Sequence, residues 1–362
     1  MTIRNFGVGP SALFPGLVED ITEIAQSGIL EKSHRSLEFS AMSEKSMTAL
    51  RKFLRVPTDY HCYYTASATE AMEMTIRNGI EKKSTHCTNG SFSKKWGKFS
   101  ERLGMQTQIH ETEMGSRSEI DDITVDDDSE ALFITANETS TGAMFSPDEI
   151  AQINGKFPNK LLCVDGTSCA AGLNYDISKM DVFLYSVQKC MGMPAGLGIF
   201  ICSPRFAAKA QQKLDNGGII GVYNSIPDLQ GRMDGKFQTP QTPCLMQIAL
   251  LGKSVQRIEA QIGDIEACDN HTRSKAGAIY DFFSNHPKFD CFVEKEHHRS
   301  MTVAVIKGEE DMITAAKDKC VAIGINLQNG YGPAKNSSFR IANFLAHSAE
   351  DMQGIFDALK DL

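Results

Sequence analysis

The stretch from Lys160 to Ser203, KLLCVDGTSCAAGLNYDISKMDVFLYSVQKCMGMPAGLGIFICS, constrains the fold more than any other part of the chain. It holds two short apolar runs, each ending in a polar residue of a kind that catalysis uses. LLCV ends at Asp165, and DVFLYSV ends at Gln188-Lys189. A third run, LGIFIC, follows a turn containing Gly and Pro. Apolar runs of this length bounded by turn residues predict buried strands. In α/β sheets, ligands sit beyond the carboxyl ends of the strands. The sequence therefore puts one carboxylate and one amine at strand ends.

That pair suits pyridoxal phosphate (PLP), whose chemistry needs a Lys for the Schiff base and an acid beside the pyridinium nitrogen. The same residues have plainer readings. A Lys after an apolar strand is commonly a surface residue, and Asp165 fits a turn or a helix N-cap equally well. Composition narrows the field. A chain of 362 residues is expected to form two domains. A net charge of −8 argues against a general nucleic-acid or anionic-membrane binder. No apolar stretch approaches the roughly 18 residues of a spanning helix, and the first residues lack the apolar core of a secretory signal. Ten Cys without a CxxC pair, several inside apolar runs (Cys62, Cys163, Cys202), read as the reduced, buried thiols of a cytoplasmic protein. Neither a disulfide framework nor a metal site is expected.

Along the chain, a helix is expected from Pro15 to Gly28 and another from roughly Glu38 to Leu54. His34-Arg35 lies between them, either as solvated charge or as an anion-binding pair. HCYYT reads as a strand, Ala66 to Ala68 as a turn of small residues, and Thr69 to Asn78 as a helix. Together they make an anion cradle, because helix N-terminal N–H groups and the dipole point at the ligand. The pattern repeats with a short strand, Asn89-Gly90 and a helix opening near Phe92. That aromatic is either core or a stacking surface for a flat ring, whereas Trp96 reads as a packing residue. QTQIHE is a strand, and SEIDDITVDDDSE a solvated acidic connection. ALFIT is a buried strand, closed by the hydroxyl-rich turn NETSTG and a helix from Pro147. A helix from Pro204 to Asn216, an irregular segment over 217–243, and two long helices or one bent helix follow. The layout predicts a large domain over residues 15–255 and a small one over 256–362 together with 1–14. The tail alternates strand, helix, strand, strand, helix. Arg340, on the strand SSFRIANF, is a carboxylate-binding candidate if that strand faces the cleft.

Five polar strand-end turns ahead of residue 190, a helical linker and a small α+β domain describe a large, mostly parallel seven-stranded sheet domain with a C-terminal subdomain. At this point the chain resembles the class V aminotransferases of fold type I, PLP-dependent transferases, and within them the phosphoserine branch. The resemblance covers nearly the whole length and rests on SHRSLEF, the NET of NETSTG, VDGTS, SVQK and FQTPQTP. It implies that Lys189 holds PLP and then moves the proton at the substrate's Cα, and that Asp165 pairs with the ring N–H. Phe92 matches the aromatic that stacks on the ring, and Thr139 the residue that contacts the ring hydroxyl. Ala68, Thr69 and Gln188 match ligands of the cofactor phosphate. Gln238 and Thr239 match a pair contributed by the neighbouring subunit, so a homodimer with shared sites is implied. Arg340 matches the grip on the α-carboxylate, and His34 and Arg35 a pair reaching across the dimer to the substrate phosphate.

The implied reaction is transamination of 3-phosphohydroxypyruvate with glutamate to O-phosphoserine and 2-oxoglutarate, a step of serine biosynthesis. Two departures bear on it. Thr69 stands where many members carry Arg, and LQNGYGPAKNSS lacks the His and Arg that often precede the carboxylate-binding Arg, leaving only Lys335. The alternative is a class V aminotransferase for a small unphosphorylated amino acid, such as alanine/serine–glyoxylate. A cysteine desulfurase would need an accessible nucleophilic Cys, and Cys320 lies in a helical pattern instead.

Overall fold

Five-residue apolar runs without alternation cannot leave one face in water, and the chain covers theirs on both. The computed structural model describes residues 4–362. Its central sheet contains β1 (His61–Thr65), β2 (Lys83–Thr88), β3 (Gln106–Glu111), β4 (Ala131–Thr135), β5 (Leu161–Asp165), β6 (Val182–Ser186) and β7 (Gly198–Cys202). The strand order is β1-β7-β6-β5-β4-β2-β3. Only β7 runs antiparallel to its neighbours. Every residue of β4 to β7 is buried, whereas β3, polar and half-exposed, closes one edge. Because β4, β5 and β6 are parallel and in register, their last residues Thr135, Asp165 and Ser186 emerge on one side of the sheet.

Helices begin where the sequence supplies caps. Ser67 accepts from Glu70 N and opens helix Ala68–Gly79. Ser146 and Glu149 form a reciprocal capping box at Pro147–Lys156. Helices Leu37–Phe53 and Leu245–Gln261 pack against one another. The long helical region is two helices, because Asp264 caps a new helix, Ile265–Ser284, after the break at Ile262-Gly263. The segment 217–243 departs from expectation: a helix, Ile226–Met233, forms in it, capped by Ser225 with Pro227 in its first turn. Pro227 and Gly231 mask its period in the sequence. CFVE contributes only Cys291 to a strand, Asp290–Cys291. INLQNG splits at Leu327 into Ile325–Asn326, which pairs with Arg4–Asn5, and Gln328–Asn329, which joins the C-terminal sheet.

That C-terminal sheet is antiparallel, with Val303–Lys307 between Asp290–Cys291 and Ser338–Ala342. The buried side chains fall into two clusters, one around the central sheet and one around the C-terminal sheet that also takes in Phe6. Helix Ile265–Ser284 gives Ile265 and Cys268 to the first and Ile279 and Phe283 to the second. The acidic connection is not wholly solvated. Asp126 and Asp128 pair with Lys83, and the preceding Arg117, fully buried, donates to Met144 O at 2.8 Å and pairs with Glu149.

Candidate active site

Lys189 follows β6 by three residues and is buried. Its Nζ donates to Thr139 Oγ1 at 2.8 Å and lies 5.3 Å from the centre of the Phe92 ring. Burial lowers its pKa to about 8, against the opposing pull of the Asp165 and Glu138 carboxylates. Over the amine passes the N-terminal segment. A Cβ on Gly9, whose φ is +143°, would stand 2.8 Å from Lys189 Cε, so only glycine lets the backbone come this close.

Asp165 ends β5 and is buried. Its Oδ1 accepts from Thr167 N at 2.9 Å and from the Thr167 hydroxyl. Among the described residues, Oδ2 receives no hydrogen bond. Burial raises the Asp165 pKa, while the Thr167 bonds and the Lys189 charge oppose the rise. A protonated ring nitrogen beside it would favour the carboxylate further, as opposite charges do.

Glu138, inside the NETSTG turn, organises the wall facing Lys189. Its Oε2 accepts from Phe92 N at 3.1 Å, Ser93 N at 2.9 Å and Ser93 Oγ at 3.0 Å. Its Oε1 accepts from Ser140 N at 3.1 Å and Ser140 Oγ at 2.6 Å. A carboxylate at the N-terminus of helix Ser91–Arg102 also complements that helix's dipole. This carboxylate fixes the backbone on both sides of the site, at Phe92 and next to Thr139.

Arg340 lies within the C-terminal sheet and is buried. Nε donates to Asn329 O at 2.9 Å, and Nη1 donates to Thr139 O at 3.2 Å. Tyr331 lies beneath the guanidinium, 5.4 Å from ring centre to Cζ, and its ring centre is 6.0 Å from that of Phe92. Burial lowers the Arg340 pKa to about 10, so it remains a cation at neutral pH. On the opposite wall, Ala68 N donates to Ser186 Oγ at 2.6 Å at the start of helix Ala68–Gly79.

These groups enclose a cleft of about 200 Å³, partly open to solvent. Ala68, Thr69, Phe92, Thr139, Asp165, Gln188, Lys189 and Arg340 all line it. His34, Arg35, Gln238 and Thr239 do not. They gather elsewhere, with Arg35 donating to Gln238 Oε1 at 3.1 Å and Pro240 O at 3.2 Å, and His34 Nδ1 at 3.3 Å from Thr242 Oγ1. Thr239 is buried and donates to Gln241 O at 2.6 Å. Lys335 is exposed and lies outside the cleft lining. Cys320 is buried with its thiol pushed up to about 12, unlike a nucleophile. Sequence reasoning missed Glu138, Lys95, Gln328, Tyr331 and the Val8-Gly9 backbone, all at or beside the cleft. The Glu inside a hydroxyl-rich strand-end turn was the one available signal among them.

The residues fit PLP. Thr135 Oγ1 and Asn137 Oδ1 are buried at the cleft wall without a partner among the described residues. The free Asp165 Oδ2, the Phe92 face, a helix N-terminus and an amine of lowered pKa complete a donor set for a flat, phosphorylated pyridine.

Comparisons with known proteins agree. The profile of the family described as aminotransferase class-V matches residues 5–336. Phosphoserine aminotransferase of Rhodococcus jostii (strain RHA1) is 25% identical over 353 residues, spanning 96% of this chain and 92% of its own. That of Corynebacterium glutamicum (strain R) is 26% identical over 362 residues, spanning 98% and 93%. The crystal structure of a phosphoserine aminotransferase from Cytophaga hutchinsonii superposes with a TM-score of 0.95 at 34% identity, covering 99% of this chain and 98% of that one. Ureidoglycine–glyoxylate aminotransferase from Bacillus subtilis shares the fold, with a TM-score of 0.82 at 15% identity over 100% of this chain and 92% of that one. The chain belongs to the class-V aminotransferase family and is an aminotransferase of fold type I.

Proposed function

We propose that the protein transfers the amino group of glutamate to 3-phosphohydroxypyruvate, giving O-phosphoserine and 2-oxoglutarate, with PLP as its cofactor. The observation that carries this is the meeting of Lys189 and Arg340 on Thr139, at 2.8 Å on its hydroxyl and 3.2 Å on its carbonyl. A lysine that can carry the cofactor and a guanidinium on the same residue suit a single amino acid, whose α-amino group would join the cofactor and whose α-carboxylate would meet Arg340. The phosphorylated substrate is supported by relatives named phosphoserine aminotransferase that span the chain, one of them 34% identical.

Lys189 would hold the cofactor covalently, Asp165 its ring nitrogen, Phe92 its face, Thr139 its ring hydroxyl, and Ala68, Thr69 and Gln188 its phosphate. Bound there, PLP supplies the electron sink that makes loss of the Cα proton affordable. Lys189 Nζ, when free of the cofactor, would take that proton. Its pKa of about 8 leaves part of it neutral at physiological pH and near the optimum for such a base. Arg340 orients the Cα–H bond by fixing the carboxylate, with its Nε and Nη1 already committed to carbonyls and Nη2 left for the substrate.

His34, Arg35, Gln238 and Thr239 would act across a two-fold dimer, since His34, Arg35 and Gln238 sit on two neighbouring segments away from the cleft of their own chain, with Thr239 next to Gln238 in sequence. A cytoplasmic location suits the cysteines, all free and all but Cys244 buried. The second reading, an enzyme for a small unphosphorylated amino acid, is favoured by Thr69 and by the absence of His and Arg from LQNGYGPAKNSS. The two are separated by assaying the purified enzyme with glutamate and 3-phosphohydroxypyruvate against alanine and glyoxylate. The first pair is expected to give the higher kcat/KM, and parity or reversal sinks the phosphorylated substrate.

A further inference from the structure

We infer that Lys95 is the cleft's own cation for the distal anion of the substrate, the side-chain phosphate, and that it sets the preference for phosphorylated over unphosphorylated substrates. The inference rests on the proposed reaction and names a residue that the resemblance does not. Lys95 sits three positions after Phe92 in helix Ser91–Arg102, so both project from one helix face. Both line the cleft, with Thr69 and Met72 also on its wall. Lys95 is half-buried as a residue, and its amine has neither a hydrogen bond nor a carboxylate partner among the described residues. Its neighbour Lys94 pairs with Glu111 on β3. A charge left half-buried without a counter-ion costs free energy that a bound anion recovers.

The charge pattern of the cleft assigns the anion. Three cations line it, Lys95, Lys189 and Arg340, against the single carboxylate of Asp165. Lys189 is held against Thr139, and Arg340 is held by the carbonyls of Asn329 and Thr139. Both are fixed where the reacting carbon and its carboxylate must lie. Lys95 alone is uncommitted. A Lys is a mobile point charge with three donors, and so accepts a tetrahedral dianion without the planar match that Arg demands.

The test uses full-length holoenzyme and compares Lys95→Met, which keeps the stem, with Lys95→Arg, which keeps the charge. The readout is the ratio of kcat/KM for O-phosphoserine to that for L-serine, with PLP affinity measured in parallel. Wild-type enzyme should prefer phosphoserine; if it does not, the proposed reaction itself fails. Given that preference, Lys95→Met should lower the ratio about tenfold or more through KM, as loss of a charge-assisted contact does, and Lys95→Arg should recover most of it. A ratio that Lys95→Met leaves unmoved overturns the role of Lys95 while leaving the reaction standing. So does a fall matched by an equal loss of PLP affinity, which would assign Lys95 to the cofactor phosphate. Thermal melts of both variants establish that the half-exposed position tolerates the change.

Discussion

Removing the Lys189 amine should make the cofactor-free protein more stable at neutral pH relative to wild type than it is at high pH. Lys189 is buried, and its pKa falls from 10.5 to about 8, chiefly by burial. At about 1.4 kcal/mol per pH unit, protonating the amine in the folded state costs about 3 kcal/mol. Below pH 8, folded and unfolded chains both hold the proton, and the penalty is constant. Between pH 8 and 10.5 the unfolded chain holds it and the folded chain does not, so stability rises with pH. Above 10.5 both are neutral and the penalty is gone. Lys189→Met removes the titration. The stability of the variant minus that of wild type should therefore shrink by about 2–3 kcal/mol from pH 7 to 10. Loss of the bond to Thr139 adds an offset of about 1 kcal/mol that does not vary over this range. The difference between the two proteins also cancels Lys275, whose pKa is lowered to about 8 as well. Trp96 gives a clean signal for urea unfolding, because it is the only Trp, is buried, and donates to Met72 O at 3.1 Å within the large core. A difference that stays flat from pH 7 to 10 would refute the claim that Lys189 is held by burial in a state poised to lose its proton.

Three further changes probe the framework around the amine. Gly9→Ala forces a methyl to within 2.8 Å of Lys189 Cε at a strained φ; displacement of the amine should lower kcat on the order of 10²-fold, with PLP still bound by absorbance. Glu138→Ala leaves the Phe92 and Ser93 amides without their acceptor and should cost at least about 3 kcal/mol in urea unfolding, whereas Glu138→Gln, which keeps one acceptor oxygen, should cost less. Arg340→Lys cannot bond both Asn329 O and Thr139 O and still present a fork; KM for every amino acid tested should rise about 10- to 100-fold, with a smaller change in kcat.

Much of this architecture was legible because β4 to β7 are buried on both faces, so their sequences are apolar throughout and the polar residue that ends each one stands out. Asp165 and Lys189 are readable for that reason. Arg340 is readable as a strand residue, but which way it points depends on a register with Val303–Lys307 that no local pattern encodes. Glu138 is hidden for a different reason. Its partners at Phe92 and Ser93 lie over forty residues earlier, and a Glu among hydroxyls looks like any solvated turn. Lys95 resembles every surface Lys, because lacking a partner is a property of the fold and not of the helix. The cluster of His34, Arg35 and Gln238 shows the limit of a single chain: its members find one another, but they lie away from the cleft of their own chain.

The two sheets meet chemically at one residue. Thr139 lies in the strand-end turn of the large sheet, offers its hydroxyl to Lys189, and offers its carbonyl to Arg340 from the C-terminal sheet. The spacing between the Lys189 amine and the Arg340 guanidinium is thus set by a single residue, which Glu138 clamps from the adjacent position through Ser140. A rigid bridge of this kind makes the α-amino acid core of the substrate a fixed ruler. Discrimination must then come from groups beyond that ruler, on walls that the bridge does not hold. Lys95, on the helix that Glu138 anchors by its first turn, is placed on such a wall by the same carboxylate. Reaction geometry and substrate preference therefore share an anchor but not a contact.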